Sequence, residues 1–188
     1  MKQILPILTL TTLTAAAFAD AGAAAPAAPA AAGLNYNRVG FSRSGDSTNV
    51  TVSNLLNGGN VLLTITSGND GEGYQGSTNN GSQLALFSVG YVFKNVAAGI
   101  DATVSVGGSV NGSQSGYSVD LRRSLSEVVA GLEFALGYGH QKYSGDAYTT
   151  MSYELSYNIN KQFSVAYGII DPNGNNENVH VASVRYNY

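Results

Sequence analysis

Cysteine and tryptophan are both missing from this 188-residue chain. Charge is scarce: Asp, Glu, Lys and Arg make up 11% of the residues, where roughly 25% is usual. Without cysteine there is no disulfide framework, no thiolate metal site, no cysteine nucleophile and no lipoprotein anchor. So few Glu, Lys and Leu exclude a coiled coil or a long helical bundle. A formal net charge of −3 gives no reason to expect nucleic acid as a partner. No hydrophobic run in the body of the chain reaches the roughly 18 residues of a transmembrane helix. Disorder is excluded from the other side, because 10% of the residues are aromatic and 44% are apolar. What is present is Gly (23 residues), Tyr (12 residues) and much Asn, Ser and Thr, the composition of an all-β protein.

The first 33 residues read as export and spacing, not fold. Lys2 supplies a positive n-region, Ile4 to Leu13 a short apolar stretch, and Ala17-Phe18-Ala19 a small-residue cleavage site. Together they form a secretory signal peptide over 1–19, cut after Ala19. Residues 20–33 are almost all Ala, Pro and Gly, with Pro26 and Pro29, and read as a linker. The body, 34–188, has the length of one domain.

Through that body, apolar and small or polar residues alternate with a period of two, the mark of β-strands. Ten segments carry the pattern: 35–43, 49–55, 61–66, 84–93, 98–107, 116–125, 128–141, 148–159, 162–170 and 178–188. The two first segments are the weakest, which leaves eight strands as the alternative count. Tight turns are expected at Asn57-Gly58-Gly59-Asn60, Lys94-Asn95, Ser126-Glu127 and Asn160-Lys161. Longer polar connections at 44–48, 68–82, 109–115, 142–147 and 171–177 alternate with them.

The two faces differ in a way that sets the environment. One is large and apolar, with residues such as Phe134, Leu136, Tyr153, Leu155, Val165 and Tyr167. The other is small, with Gly131, Gly137, Gly139, Ala135, Ser152, Ser156, Ser164 and Gly168. That small face also holds the strand charges Arg38, Asp101, Asp120, Arg122, Glu133, Glu154 and Arg185. A soluble sheet rarely makes its outward positions so small. A barrel turned inside out does so, with the large face in lipid and the small, charged face in the lumen. Tyr36, Tyr91, Phe93, Tyr157, Phe163, Tyr186 and Tyr188 are then expected at one membrane interface. Phe41, Tyr117, Tyr138 and Tyr148 belong at the other.

The last ten residues, Val179 to Tyr188, resemble the C-terminal assembly signal of bacterial outer-membrane barrels. A terminal aromatic, Tyr188, follows Ala182, Val184 and Tyr186 at alternate positions. In layout, the whole of 34–188 is similar to the small outer-membrane barrel family, the opacity-protein-like and porin-like small barrels. The resemblance implies recognition of the last strand by the barrel assembly machinery. It also implies the outer membrane of a Gram-negative-type bacterium, with its lipid as the surrounding partner.

The expected fold is therefore all-β: a closed, antiparallel, up-and-down transmembrane β-barrel of ten strands. In its narrow lumen the mixed charges form a network, with Arg122 and Arg185 paired to acids on neighbouring strands. The leading functional expectation is a monomeric structural or surface-interaction barrel, its lumen plugged, presenting loop 68–82 to an outside partner. A narrow porin-like channel is the second expectation and a soluble secreted binding barrel the third. Catalytic chemistry is thin. His140 has Ser144 and Asp146 nearby, but it falls in the lipid-facing register without a hydrolase spacing, and His180 shares that register. Asn69-Asp70-Gly71-Glu72-Gly73 lacks the ligand spacing of a calcium loop, and Asp171-Pro172-Asn173-Gly174 is a turn string. No enzyme activity, cofactor or metal is expected.

Overall fold

Period-two patterning becomes ten antiparallel strands in the computed structural model, which describes residues 34–45, 47–69, 83–110, 114–143, 146–172 and 178–188. The strands are β1 (Arg38–Ser44), β2 (Ser47–Leu55), β3 (Val61–Asn69), β4 (Gln83–Ala97) and β5 (Ile100–Ser109). They continue as β6 (Gln114–Ser124), β7 (Leu132–Tyr143), β8 (Asp146–Asn158), β9 (Phe163–Pro172) and β10 (Val179–Asn187). Each pairs with its neighbours in sequence, and β1 pairs with β10 to close the sheet into a barrel. In that closing ladder Arg38 stands opposite Asn187 and Arg43 opposite Ala182. The weakest segments of the sequence, β1 and β2, are therefore full members, and the count is ten rather than eight. The leader, the Ala/Pro linker and most of the 68–82 loop lie outside the described residues.

An even strand number puts both described chain ends at one rim, here called the terminal rim. Its connections are Leu56–Asn60, Ala98–Gly99, Leu125–Gly131 and Ile159–Gln162. Two of them correct the sequence reading. The expected turn at Lys94-Asn95 is instead a bulge, since β4 runs on to Ala97 and the pairing shifts between Phe93 and Ala97. Asn95 does take a positive φ of 52°, the property that suggested a turn. Its N–H, however, donates to Asp101 Oδ1, and its own Oδ1 accepts from Gly99 N–H. The reversal itself falls on Ala98 and Gly99, at φ 46° and 76°. The expected Ser126-Glu127 turn is likewise wider. Val128 and Val129 N–H both bond back to the Leu125 carbonyl, and Gly131 has a φ of 83°, so β7 begins only at Leu132. Val128-Val129-Ala130 imitated a strand because their residue types suit one, but Gly131 cannot continue an extended chain there.

The far rim departs from expectation in the opposite sense. Ser44 pairs with Ser47 and Tyr143 with Asp146, so the 44–48 and 142–147 connections reduce to two residues each. Short and long connections therefore do not alternate cleanly along the chain.

The faces sort by parity. Outward positions are apolar and stay exposed: Ile65 is 60% exposed, Val106 62% and Tyr167 52%. Inward positions are small or polar and buried, among them Ser42, Thr51, Thr66, Thr103, Ser152 and Ser164. The terminal rim carries outward Tyr91 and Phe93 with ring centroids 4.8 Å apart, and Phe163 and Tyr186 at 5.4 Å. Asparagines near this rim hold two of the tyrosine hydroxyls: Asn60 Nδ2 in the turn donates to Tyr91 and Asn54 Nδ2 on β2 to Tyr188, both at 3.3 Å. Among the described side chains one aromatic leaves the belt, and that of Tyr148 lies outside them. Tyr36 shares the parity of Arg38, and its side chain enters the lumen, where the residue is 3% exposed.

Gly107 tests the closeness of the sheet. A Cβ added there would run into the Phe87 carbonyl and approach Ser88 Cβ to 2.8 Å, atoms of the neighbouring strand. Gly107→Val should destabilise the barrel by about 1–3 kcal/mol through overpacking. Urea titration of the refolded protein in lipid vesicles, read by heat-modifiable gel mobility, checks this as a lower midpoint.

Candidate functional site

The lumen is built from alternate residues of all ten strands, so strand register alone decides what faces it. Near the terminal rim the inward set turns from hydroxyls to charges. Arg122 on β6 donates to Glu133 Oε2 on β7 at 2.7 Å. The other Glu133 oxygen accepts from Asn158 Nδ2 on β8 at 2.8 Å. Arg185 on β10 pairs with Glu154 on β8. That pair spans β9, because Gly168 stands opposite Glu154 and leaves the space above itself free. The sequence reading placed both acids on the adjacent strand; only Arg122 has such a partner. Arg185 is 1% exposed, the deepest charged side chain among the described residues. A pair taken this far out of water must be well bonded to offset desolvation, and the Arg122–Glu133–Asn158 chain meets that condition.

The segment before β1 crosses this end of the lumen. Tyr36 donates its hydroxyl to Asp101 Oδ2 on β5 at 2.9 Å, and the Arg122 guanidinium lies 4.7 Å over its ring. Arg122 Nη1 also donates to the Asn35 carbonyl at 3.1 Å. Ser53 Oγ donates to the Tyr36 carbonyl at 2.7 Å, and Leu55 N–H donates to Asn37 Oδ1, also at 2.7 Å. Residues 35–37 are thus strapped to β2, β5 and β6. Sequence reasoning missed this strap; the parity that Tyr36 shares with Arg38 was the available signal.

The remaining two charges are differently placed. Asp120 on β6 accepts from Ser118 Oγ at 3.0 Å. Arg38 on β1 makes no hydrogen bond or ion pair among the described residues, and its Nε is enclosed without a partner. Both line a cavity with about 120 Å³ open to the centres of water molecules, room for several waters. The cavity follows the β2–β6 wall. Tyr36, Ser53 and Leu62 line it near the terminal rim, Ser88, Thr103 and Ser105 along its length, and Gln114 and Gln141 near the far rim. Arg122 and Glu154 reach its edge, while their partners Glu133 and Arg185 are not among its lining residues.

The other sequence candidates are not drawn together. His140 faces outward beside Tyr117, with ring centroids 5.3 Å apart, and His180 stacks on outward Tyr167 at 6.0 Å. Ser144 and the faint calcium-like run from Asp70 to Gly73 lie outside the described residues. Among the described residues no group of three or more His, Cys, Asp or Glu is arranged to hold a metal. The C-terminal residues Ala182, Val184 and Tyr186 stand in the outward register of β10. Tyr188 reaches across β1 to donate its hydroxyl to the Ser53 carbonyl at 3.1 Å.

Removing one half of a buried pair leaves the other charge stranded. Arg122→Leu should therefore cost about 3–5 kcal/mol, and Arg122→Leu with Glu133→Leu should recover most of it. Equilibrium unfolding of the two variants in detergent micelles measures both.

No protein-family model matches the chain, and no curated protein matches it. Among solved structures, the fold is similar to a KdgM porin in complex with disordered oligogalacturonate. The TM-score is 0.50 at 12% identity, covering 80% of this chain and 98% of that one. A structure of the KdgM porin gives a TM-score of 0.49 at 12% identity over the same shares. Acinetobacter baumannii OccAB2 gives 0.37 at 13% identity, covering 76% of this chain and 47% of that one. At these identities the likeness is one of fold: a closed, antiparallel, up-and-down barrel is the architecture this chain shares with a porin.

Proposed function

We propose that the protein is an outer-membrane β-barrel of a Gram-negative-type bacterium whose lumen is a narrow, porin-like passage for small polar solutes. The membrane part rests on the exposed apolar belt, which carries Phe87, Val89, Val104, Leu155 and Tyr167 outward while the lumen takes Arg122, Glu133, Glu154 and Arg185. Water would charge roughly 25 cal/mol for every Å² of that belt left uncovered, and lipid removes the cost. The passage part rests on one observation: a lumen cavity lined by charged, hydroxyl and apolar residues has lining residues near both rims. The fold shared with a porin agrees with this reading.

A structural or surface-interaction barrel with a sealed lumen is the second reading. The ion pairs inside the lumen and the Tyr36 strap favour it, because both reduce the bore at the terminal rim. On that reading an outside partner would meet the 68–82 loop. Planar-bilayer recording separates the two. A passage gives steady small openings that grow when Tyr36→Ala removes the ring from the terminal rim. A sealed barrel gives none in either form. A chain that stays monomeric in water without detergent, and does not sediment with membranes, would overturn both.

Export would follow cleavage after Ala19, and the assembly machinery would read Ala182, Val184, Tyr186 and Tyr188. Tyr188→Ala should then leave a larger unassembled fraction after export, measured as loss of the heat-modifiable band in the membrane fraction.

A further inference from the structure

We propose that the lumen cavity is a binding site for a small zwitterionic solute, its carboxylate held by Arg38 and its ammonium group by Asp120. The inference deepens the passage reading and rests on it. Of the seven charged side chains assigned to the lumen, four are committed to each other as Arg122–Glu133 and Arg185–Glu154, and Asp101 accepts from the Tyr36 hydroxyl and the Asn95 N–H. Arg38 and Asp120 are the other two, and both line the open cavity.

Each of the two has unused capacity. A guanidinium carries five N–H donors, yet Arg38 has no hydrogen-bond or ion-pair partner among the described residues, and its Nε is shut away from solvent. A carboxylate accepts about four hydrogen bonds, and Asp120 receives one from a side chain, Ser118 Oγ. Leaving such groups unmet in a confined space is costly. A solute that supplies one group of each sign removes both deficits together.

The surroundings argue against a plain anion or a plain cation. Arg38 has Arg122, Arg185, Glu154 and Glu133 within electrostatic reach, and Asp120 has Arg122, Glu154 and Arg38. With the two ion pairs neutral, Arg38 and Asp120 balance one another. A lone anion at Arg38 would leave Asp120 as an uncompensated neighbour, and a lone cation at Asp120 would do the same to Arg38. Besides Arg38 and Asp120, only Arg122 and Glu154 bring charge to the lining, and each is held in an ion pair; Thr64, Ser88, Thr103 and Ser105 add hydroxyls beside apolar Leu62 and Leu86.

The experiment is an NMR titration of the refolded, isotopically labelled barrel in detergent micelles, following the Arg38 Nε–H and lumen-facing amides. The probes are glycine, β-alanine and 4-aminobutyrate as zwitterions of increasing span, with acetate and methylammonium as single-charge controls. At least one zwitterion should shift the Arg38 signal and bind about tenfold or more tightly than either control, the effect of one charge-assisted hydrogen bond. Arg38→Gln and Asp120→Asn should each reduce that affinity by a similar factor while retaining the heat-modifiable fold. Acetate binding as tightly as the zwitterions overturns the proposal in favour of an anion site. Absence of shifts with every probe overturns it in favour of a water-satisfied pair. Because binding is read without conductance, steady openings with no zwitterion binding would sink this inference and leave the passage intact.

Discussion

Every strand of this barrel depends on the hydrogen-bonded ladder between β1 and β10. Once Arg38 to Arg43 pair with Asn187 to Ala182, no strand edge remains to bond water or a neighbour. A sheet in lipid needs that closure, because an unmet N–H or C=O in hydrocarbon costs several kcal/mol. Closure also fixes parity all round the ring. A slip of one residue in any ladder would turn charges such as Glu154 and Arg185 toward the apolar side. The composition of the lumen therefore follows from register, and register follows from a ring that has to meet its own start.

The strand pattern was legible because parity writes it twice, as large residues on one face and small ones on the other. That double signal located all ten strands, including the short β1 and β2. It failed where a residue type carries two meanings. Asn95 and Gly99 both favour positive φ, and only the Asp101 carboxylate, a neighbour across the turn, assigns the bulge to one and the reversal to the other. Val128 and Val129 suit a strand by type but serve a turn, because Gly131 breaks the extended backbone after them. The lumen charges were readable by parity. Arg122 meets an acid on the neighbouring strand as parity and adjacency suggest, but the partner of Arg185 was not legible, since Arg185 passes over Gly168 on β9 to find Glu154, a contact set by barrel curvature rather than by adjacency.

Glycine illustrates a further physical reason. In the sequence its place on the small face suggested a lumen crowded by side chains. For Gly107 and Gly116 the obstacle includes backbone: a Cβ there would meet the carbonyls of Phe87 and His140 on the next strands. Gly108, on the outward parity, is constrained in the same way by the Gln114 carbonyl. These residues let β4, β5, β6 and β7 bend closely past one another, a need of curvature that acts on both faces alike. The cavity lies along this same arc of wall, which is lined by Gly107, Gly108 and Gly116.

The barrel thus has two unlike walls, and the asymmetry bears on how it could work. Large charged side chains from β6, β7, β8 and β10 meet one another and pin their wall. Small residues from β2 to β6 leave the facing wall open. The strap of residues 35–37 joins the two, since Ser53 and Leu55 hold it on β2 and Arg122 and Asp101 hold it on β6 and β5. A change at the strap therefore reaches both the pinned pairs and the free cavity through Arg122, which bonds the Asn35 carbonyl, covers the Tyr36 ring and neutralises Glu133. Loosening Tyr36 would widen the terminal rim and at once remove a partner from the guanidinium that holds Glu133. Bore and charge at this rim are consequently set by one side chain, and neither can be altered without the other.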